Sequence, residues 1–185
     1  YTALDAGCGE GFYSENALKS AYNGDNQVYG TDISKFAVKI AAKKYKDNFY
    51  FVSSIYNLPV AAESINLILS VFSPVHPEEF KRVLAQDGYI IIVNPGENHL
   101  KELAESIYET FRPHVNNIPS IMESSFQLIN TKRVTFKIQL KDSEELLMLL
   151  KMTPYYWTAS KETLEKLNNI TKMEVTCDFN ISVFA

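Results

Sequence analysis

Cysteine is scarce in this sequence. Cys8 and Cys177, the two in 185 residues, are too few for a disulfide framework or for a four-ligand zinc site drawn from this chain alone. No metal ligands are assigned, and the scarcity fits a reducing, cytoplasmic setting. Long apolar runs are also missing: none approaches the roughly 20 residues that a membrane helix needs, so no membrane partner is expected. No basic-then-apolar leader is present, and the chain opens on Tyr1 rather than Met, which leaves the true N-terminus open. Positive charge is short too. With 18 Lys and Arg against 22 Asp and Glu, the net charge of -4 argues against a generally basic nucleic-acid binder. It leaves room for a local basic surface or for a partner domain that supplies one. No internal repeat or low-complexity linker interrupts the chain.

What is present is a core. At 46% hydrophobic, 185 residues bury one core well, so one domain is expected over 1–185, with 1–95 as a ligand-binding half and 96–185 as a second half. Apolar runs alternate with helical patterns. "YTALDA", "QVYGTDI", "NFYFVSS", "INLILSVF" and "GYIIIVNPG" read as strands, the last after an Asp87-Gly88 turn. Between them, Glu10 to about Tyr22, Ser34 to Lys46 with Ser34 as N-cap, and Pro77 to Ala85 read as helices. Beyond residue 96 the pattern predicts a helix over Asn98 to Phe111 and a loop over Pro113 to Pro119. A strand in "TKRVTFKIQL", helices over Ser143 to Met152 and Lys161 to Asn168, and a long strand in "MEVTCDFNISVFA" complete it. Strands apolar on both faces and separated by helices form parallel sheets covered on both sides. The expected fold is a doubly wound α/β domain with a mostly parallel seven-stranded sheet, helices on both faces and an antiparallel edge strand.

The stretch with the most chemistry is "LDAGCGEGFYSE", Leu4 to Glu15. In an open α/β sheet the first strand-to-helix turn faces the ligand crevice. Gly7, Gly9 and Gly11 occupy that turn, where glycine lets the backbone approach a ligand with no Cβ in the way. A dinucleotide fingerprint spaces its glycines G-x-G-x-x-G. Here Phe12 stands where its last glycine would fall. Asp5 to Gly11 instead matches D-x-G-x-G-x-G, the turn that binds S-adenosylmethionine; the bland alternative is a turn and nothing more. The second strand ends in Asp32, placed to accept hydrogen bonds from both ribose hydroxyls or, alternatively, to cap the next helix. Ile33 follows it. In "SSIYNLPV", related domains carry "D-A-x-x-L-P-F", with the acidic residue on the adenine amino group. Ser54 stands in its place, and Ile55 or Tyr56 packs on adenine or simply in the core.

These features resemble a class I S-adenosylmethionine-dependent methyltransferase over residues 2–95. "NPGENHLKELAESIYE", "LLKMTPYYW" and "CDFNISVF" extend the likeness, and with the earlier stretches they resemble the 23S ribosomal RNA (guanine-N1)-methyltransferase family, macrolide-resistance members included. That resemblance implies methyl transfer to N1 of a guanine in 23S ribosomal RNA, a homodimer, and a zinc-binding module ahead of this domain. The module is not in this sequence, so the chain reads as a domain fragment. Guanine N1 must lose a proton, which calls for a general base. Candidates are His76, Asn94, Glu97, His99, Asp178 and Asn180, with Asn94 and His99 favoured after strand five and Asp178 and Asn180 as readers of the guanine edge. Each has a turn cap or exposed polar group as its plain alternative. Tyr155, Tyr156 and Trp157 either stack on a flipped base or pack under a lid. The lysines of "SKFAVKIAAKKYK" read as a solvated face or, alternatively, as a contact for RNA phosphates, and Lys132, Arg133 and Lys137 as the better-placed phosphate contact. A small-molecule methyltransferase and a non-catalytic binding module are the competing readings.

Overall fold

The computed structural model describes residues 1–19 and 26–185. Strands β1 (Thr2–Ala6), β2 (Gln27–Asp32), β3 (Phe49–Val52), β4 (Ile65–Val71), β5 (Leu84–Pro95), β6 (Leu128–Leu140) and β7 (Met173–Phe184) form one sheet in the order β3-β2-β1-β4-β5-β7-β6. β1 pairs in parallel with β2 and β4, β2 with β3, and β4 with β5. β7 and β6 complete it as an antiparallel edge, as expected. Gln127 and Ala185, just outside these two strands, exchange both backbone hydrogen bonds, the signature of an antiparallel pair. The order doubles back between β1 and β4, and that switch point is where α/β sheets open a crevice.

Two compact units make up the chain. The first comprises Tyr1–Asn94, Asn117–Lys132 and Asn180–Ala185. Side chains alternate along its strands: Leu4, Ala6, Ile68, Ile90 and Ile92 join Phe80, Met122 and Phe184 in one apolar cluster, while Ala3, Val28, Leu67 and Leu69 pack with Leu18 in another. Strands buried on both faces read as continuous apolar runs, which is why they were legible. Helix α1 (Lys35–Lys44) starts on Ser34, whose hydroxyl accepts from Ala37 N at 3.3 Å, and buries Val38 and Ala41. Helix α2 (Pro77–Val83) is capped by His76, and α4 is Ile118–Met122.

The second unit comprises Pro95–Asn116 and Arg133–Phe179. It holds α3 (Lys101–Glu105), α5 (Ser143–Lys151), α6 (Tyr155–Thr158) and α7 (Lys161–Leu167), packed around Leu103, Leu140, Leu146, Leu150, Leu167 and Val175. Asp142 caps α5 by accepting from Glu144 N and Glu145 N, and Ser160 caps α7.

Three expectations need correction. The helix after the glycine turn is a helical turn at Phe12 that passes into a π-helix over Ser14–Leu18, where Lys19 N donates to Ser14 O at 3.2 Å; the stretch expected to run on to Tyr22 lies outside the described residues. The Asp87-Gly88 turn does not end a connection. β5 runs straight through it as a bulge, since Ile65 pairs with Leu84 and Leu67 already with Tyr89. A Cβ on Gly88 would lie 2.7 Å from Leu84 Cγ, so the bulge needs glycine there. The helix expected from Asn98 to Phe111 shrinks to Lys101–Glu105. Gly96 N and Leu100 N donate to Asp178 O and Thr176 O on β7, and Leu100 takes φ +54°, so the preceding turn is drawn onto a strand instead of into a helical ladder.

Candidate functional site

The glycine turn begins where β1 stops. Gly7, Gly9 and Gly11 all take positive φ, +83°, +52° and +82°. Gly7 N and Cys8 N both donate to Thr31 O at 2.8 Å, which folds the turn back over the end of β2. A Cβ on Gly7 would sit 2.2 Å from Ser73 Oγ, and one on Gly11 2.6 Å from the Tyr50 hydroxyl, so both are also sterically required. Gly9 is different. Nothing lies within 4 Å of the place its Cβ would take. Its backbone faces open space with its N donating to Asp32 Oδ2 at 2.9 Å.

Asp32 holds the turn and the next helix together. Its other oxygen accepts from Ser34 N at 2.8 Å, while Ser34 itself caps α1. Each carboxylate oxygen has a second lone pair to offer. Asp5 works from beneath: it is fully buried, and its Oδ2 accepts from Ser14 Oγ at 2.7 Å. Burial pushes its carboxyl up to about 6 against the lowering effect of the Ser14 hydrogen bonds. Its Oδ1 has no hydrogen-bond partner among the described residues. Burial, with Asp5 and Asp32 nearby, pushes the Cys8 thiol up to about 12, away from the thiolate form.

Beside the turn lies a cavity of about 240 Å³. Gly7, Asp32, Ile33, Ser54 and Ile55 line it, so five of the eight residues expected to bind a cofactor are brought to one place; Gly9 and Gly11 belong to the turn itself, and Asp5 lies on β1 beneath it. Ile33, Tyr56 and Phe72 on its wall are 80%, 60% and 48% exposed. Three large apolar side chains left wet around one cavity mark a ligand surface. Ile55 is buried and also belongs to the core, whereas Tyr56 stands out with its ring 4.9 Å from that of His76. Ser54 Oγ accepts from Tyr56 N at 3.3 Å. Phe72, Ser73 and Pro74, after β4, escaped the sequence reading. Their only signal is the strand order, which puts the ends of β4 and β1 side by side.

The acceptor-side candidates divide between the units. Asn94 at the end of β5 and Asn180 on β7 are half-buried in the first. His99 and Asp178 lie in the second and touch: His99 Nδ1 accepts from Asp178 N at 3.2 Å. Burial, with His114 adding to it, lowers the His99 imidazole. The Asp178 carboxylate is fully engaged. It accepts from Arg133 Nε and Nη2 at 2.8 and 2.7 Å, from Thr135 Oγ1 at 2.9 Å and from Asn98 N at 2.9 Å. Those donors, Arg133 foremost, hold it well below the usual carboxylate range. His76 accepts from Glu79 N as a helix cap, and Glu97 lies 3.9 Å from Arg133. Of the basic residues on β6, Arg133 and Lys137 are tied to Asp178 and Glu174. Tyr155 and Tyr156 pack against the second core, and Trp157 is 81% exposed. Among the described residues, no cluster of His, Cys, Asp and Glu is arranged to hold a metal, and no helix is long and apolar enough to cross a membrane.

Comparison with known proteins places these features. A family model described as "Methyltransferase domain" matches residues 1–148. A Bacillus subtilis protein provisionally named a 23S rRNA (guanine-N1)-methyltransferase is 30% identical over 99% of this chain and 66% of its own length. The 23S rRNA (guanine(748)-N1)-methyltransferase of Streptomyces fradiae is 25% identical over 88% of this chain and 58% of its own. The chain thus spans less than two thirds of either relative. A solved S-adenosylmethionine-dependent methyltransferase from Aquifex aeolicus shares the fold with a TM-score of 0.61 at 16% identity, covering 99% of this chain and 81% of that one.

Proposed function

The chain belongs to the methyltransferase-domain family, and from that premise we propose that it binds S-adenosylmethionine at the glycine turn and methylates N1 of a guanine in 23S ribosomal RNA. What supports the RNA reading is the likeness to a 23S rRNA (guanine(748)-N1)-methyltransferase over 88% of the chain and to a protein provisionally named for the same reaction class over 99%, which reaches well past the glycine turn. What supports the cofactor is the turn and its cavity. At about 240 Å³ the cavity falls below the roughly 300–1,000 Å³ of whole small-molecule sites, so it suits the nucleoside half of the cofactor. The remainder then lies along Gly7 to Gly11, where the open space at Gly9 leaves room for it.

In this reading the chain supplies position more than chemistry. Bound S-adenosylmethionine brings an electrophilic methyl on a sulfonium, ready for in-line displacement. Asp32 accepts from the two ribose hydroxyls with its remaining lone pairs. Ile33 and Ile55 enclose the adenine, and Ser54 meets its amino edge. Asp5 acts through Ser14, holding the turn from below. On the acceptor side Asn94 and Asn180 contact the guanine, whose N1 proton passes to water; His99, with Nδ1 accepting from Asp178 N, carries its proton on Nε2 when neutral and serves as a positioning residue in the second unit. Asp178 serves by holding His99 and the Gly96–Asn98 turn, its own oxygens being committed. Alignment of the reacting groups is worth about 7–11 kcal/mol in such reactions, which is why rigid placement suffices. The whole protein, in the same reading, is cytoplasmic, carries a zinc-binding module and pairs as a homodimer.

The test is to incubate the full chain with labelled S-adenosylmethionine and 23S RNA lacking its modifications, then to map the product by reverse transcription. A stop at a single guanine is the expected outcome. Label in RNA without a stop moves the methyl off the Watson–Crick edge, and no label in RNA removes the substrate.

A further inference from the structure

The second unit contains a cavity of about 550 Å³ that shares no residue with the one beside the glycine turn. Its volume lies within the roughly 300–1,000 Å³ of small-molecule sites. Ala104, Tyr108, Thr110, Arg112 and Tyr155 line it, and no carboxylate is among them. Tyr108 and Tyr155 meet edge to face, centroids 5.7 Å apart at 83°. Both rings are held in place: the Tyr108 hydroxyl bonds Thr158 Oγ1, and the Tyr155 hydroxyl lies 3.4 Å from His114 Nε2. The wall is therefore a rigid aromatic corner. Arg112, by contrast, is exposed, and no carboxylate lines the cavity beside it. An aromatic face for a base, an exposed planar cation for a phosphate and a threonine hydroxyl in the same lining match one ligand chemistry, a nucleotide.

We infer that this cavity is a second nucleotide site, which takes a nucleotide of the RNA other than the one methylated. The inference rests on the RNA reading above and deepens it. A chain with a net charge of -4 gains little from diffuse attraction to RNA, so a local grip of stacking plus one guanidinium serves it better.

The sole tryptophan, Trp157, stands on α6 two residues past the lining Tyr155, and its fluorescence is the readout. Guanosine 5′-monophosphate and a short single-stranded oligoribonucleotide are titrated into the full chain. Saturable quenching is expected, with affinity about tenfold weaker in Arg112→Gln, a change at an exposed residue that leaves the fold alone. Tyr108→Leu, checked for intact structure by circular dichroism, weakens it similarly. No saturable quenching, or equal affinity in both variants, overturns the inference. Methylation of unmodified 23S RNA is measured in parallel. RNA methylated with an unchanged KM by Arg112→Gln, and no nucleotide bound, removes the second site and keeps the methyltransferase reading. Nucleotide bound through Arg112 with no RNA methylated supports the site and removes the RNA substrate.

Discussion

The glycine turn separates two demands on a residue that are usually confounded. Gly7 is needed by the fold, since a Cβ would strike Ser73, whereas Gly9 has nothing within 4 Å. Gly7→Ala is therefore expected to cost stability and cofactor affinity together, with backbone strain alone contributing about 1–3 kcal/mol. Gly9→Ala carries the strain of φ +52° but meets no clash, so it costs less stability than Gly7→Ala, and it loses at least tenfold in affinity for S-adenosylhomocysteine, because a ligand fills that space. Urea melts beside calorimetry check the contrast. Asp5 adds a pH signature. Its folded value of about 6 stands above the ordinary 3.8, so the folded state holds the proton more tightly than the unfolded one. Stability is highest below pH 3.8 in this respect and falls as pH rises through 6. Asp5→Asn should thus exceed the parent by about 1–3 kcal/mol at pH 7.5, and the gap should close towards pH 4. A gap independent of pH would show that the carboxyl carries no such cost.

At the scale of elements, β6, β7 and the turn after β5 are joined by one carboxylate. Asp178 is fully buried and holds Arg133, Thr135 and Asn98 at once. Gly96 packs on it so closely that a Cβ would lie 2.4 Å from its Cγ. Gly96→Ala must push the turn off β7 with no change of charge. We expect it to lower kcat for methyl transfer while the affinity for S-adenosylhomocysteine stays within twofold. Asp178→Ala does the same and also destabilises by about 1–3 kcal/mol, the cost of donors left without an acceptor. Because its carboxyl is held below the ordinary 3.8, its stabilisation is present above that pH and is lost as pH falls below it, so acid melts of Asp178→Ala converge with the parent.

For the molecule as a whole, ligand binding and stability are linked. If the cofactor occupies the first unit, S-adenosylhomocysteine at 100 times its Kd adds about 2.7 kcal/mol to the stability of whatever unfolds with that site. Hydrogen exchange should slow at Gly7, Gly9 and Ser34, whose amides belong to the turn and the Asp32 network. Protection confined to the second unit would place the cofactor elsewhere.

The sequence alone determined the parallel sheet, the helix caps at Ser34 and the place of the glycine turn. Those features are written in short-range terms: apolar periodicity over a few residues, a cap one residue before its helix, glycine where φ is positive. Only the tertiary structure decided that Asp178 clamps a turn 80 residues away, that the helix after it is shortened to Lys101–Glu105, and that Ser73 underlies Gly7. In each case the deciding partner is remote along the chain. Local propensity yields there because a buried carboxylate or backbone N–H must be satisfied by whatever the fold brings beside it.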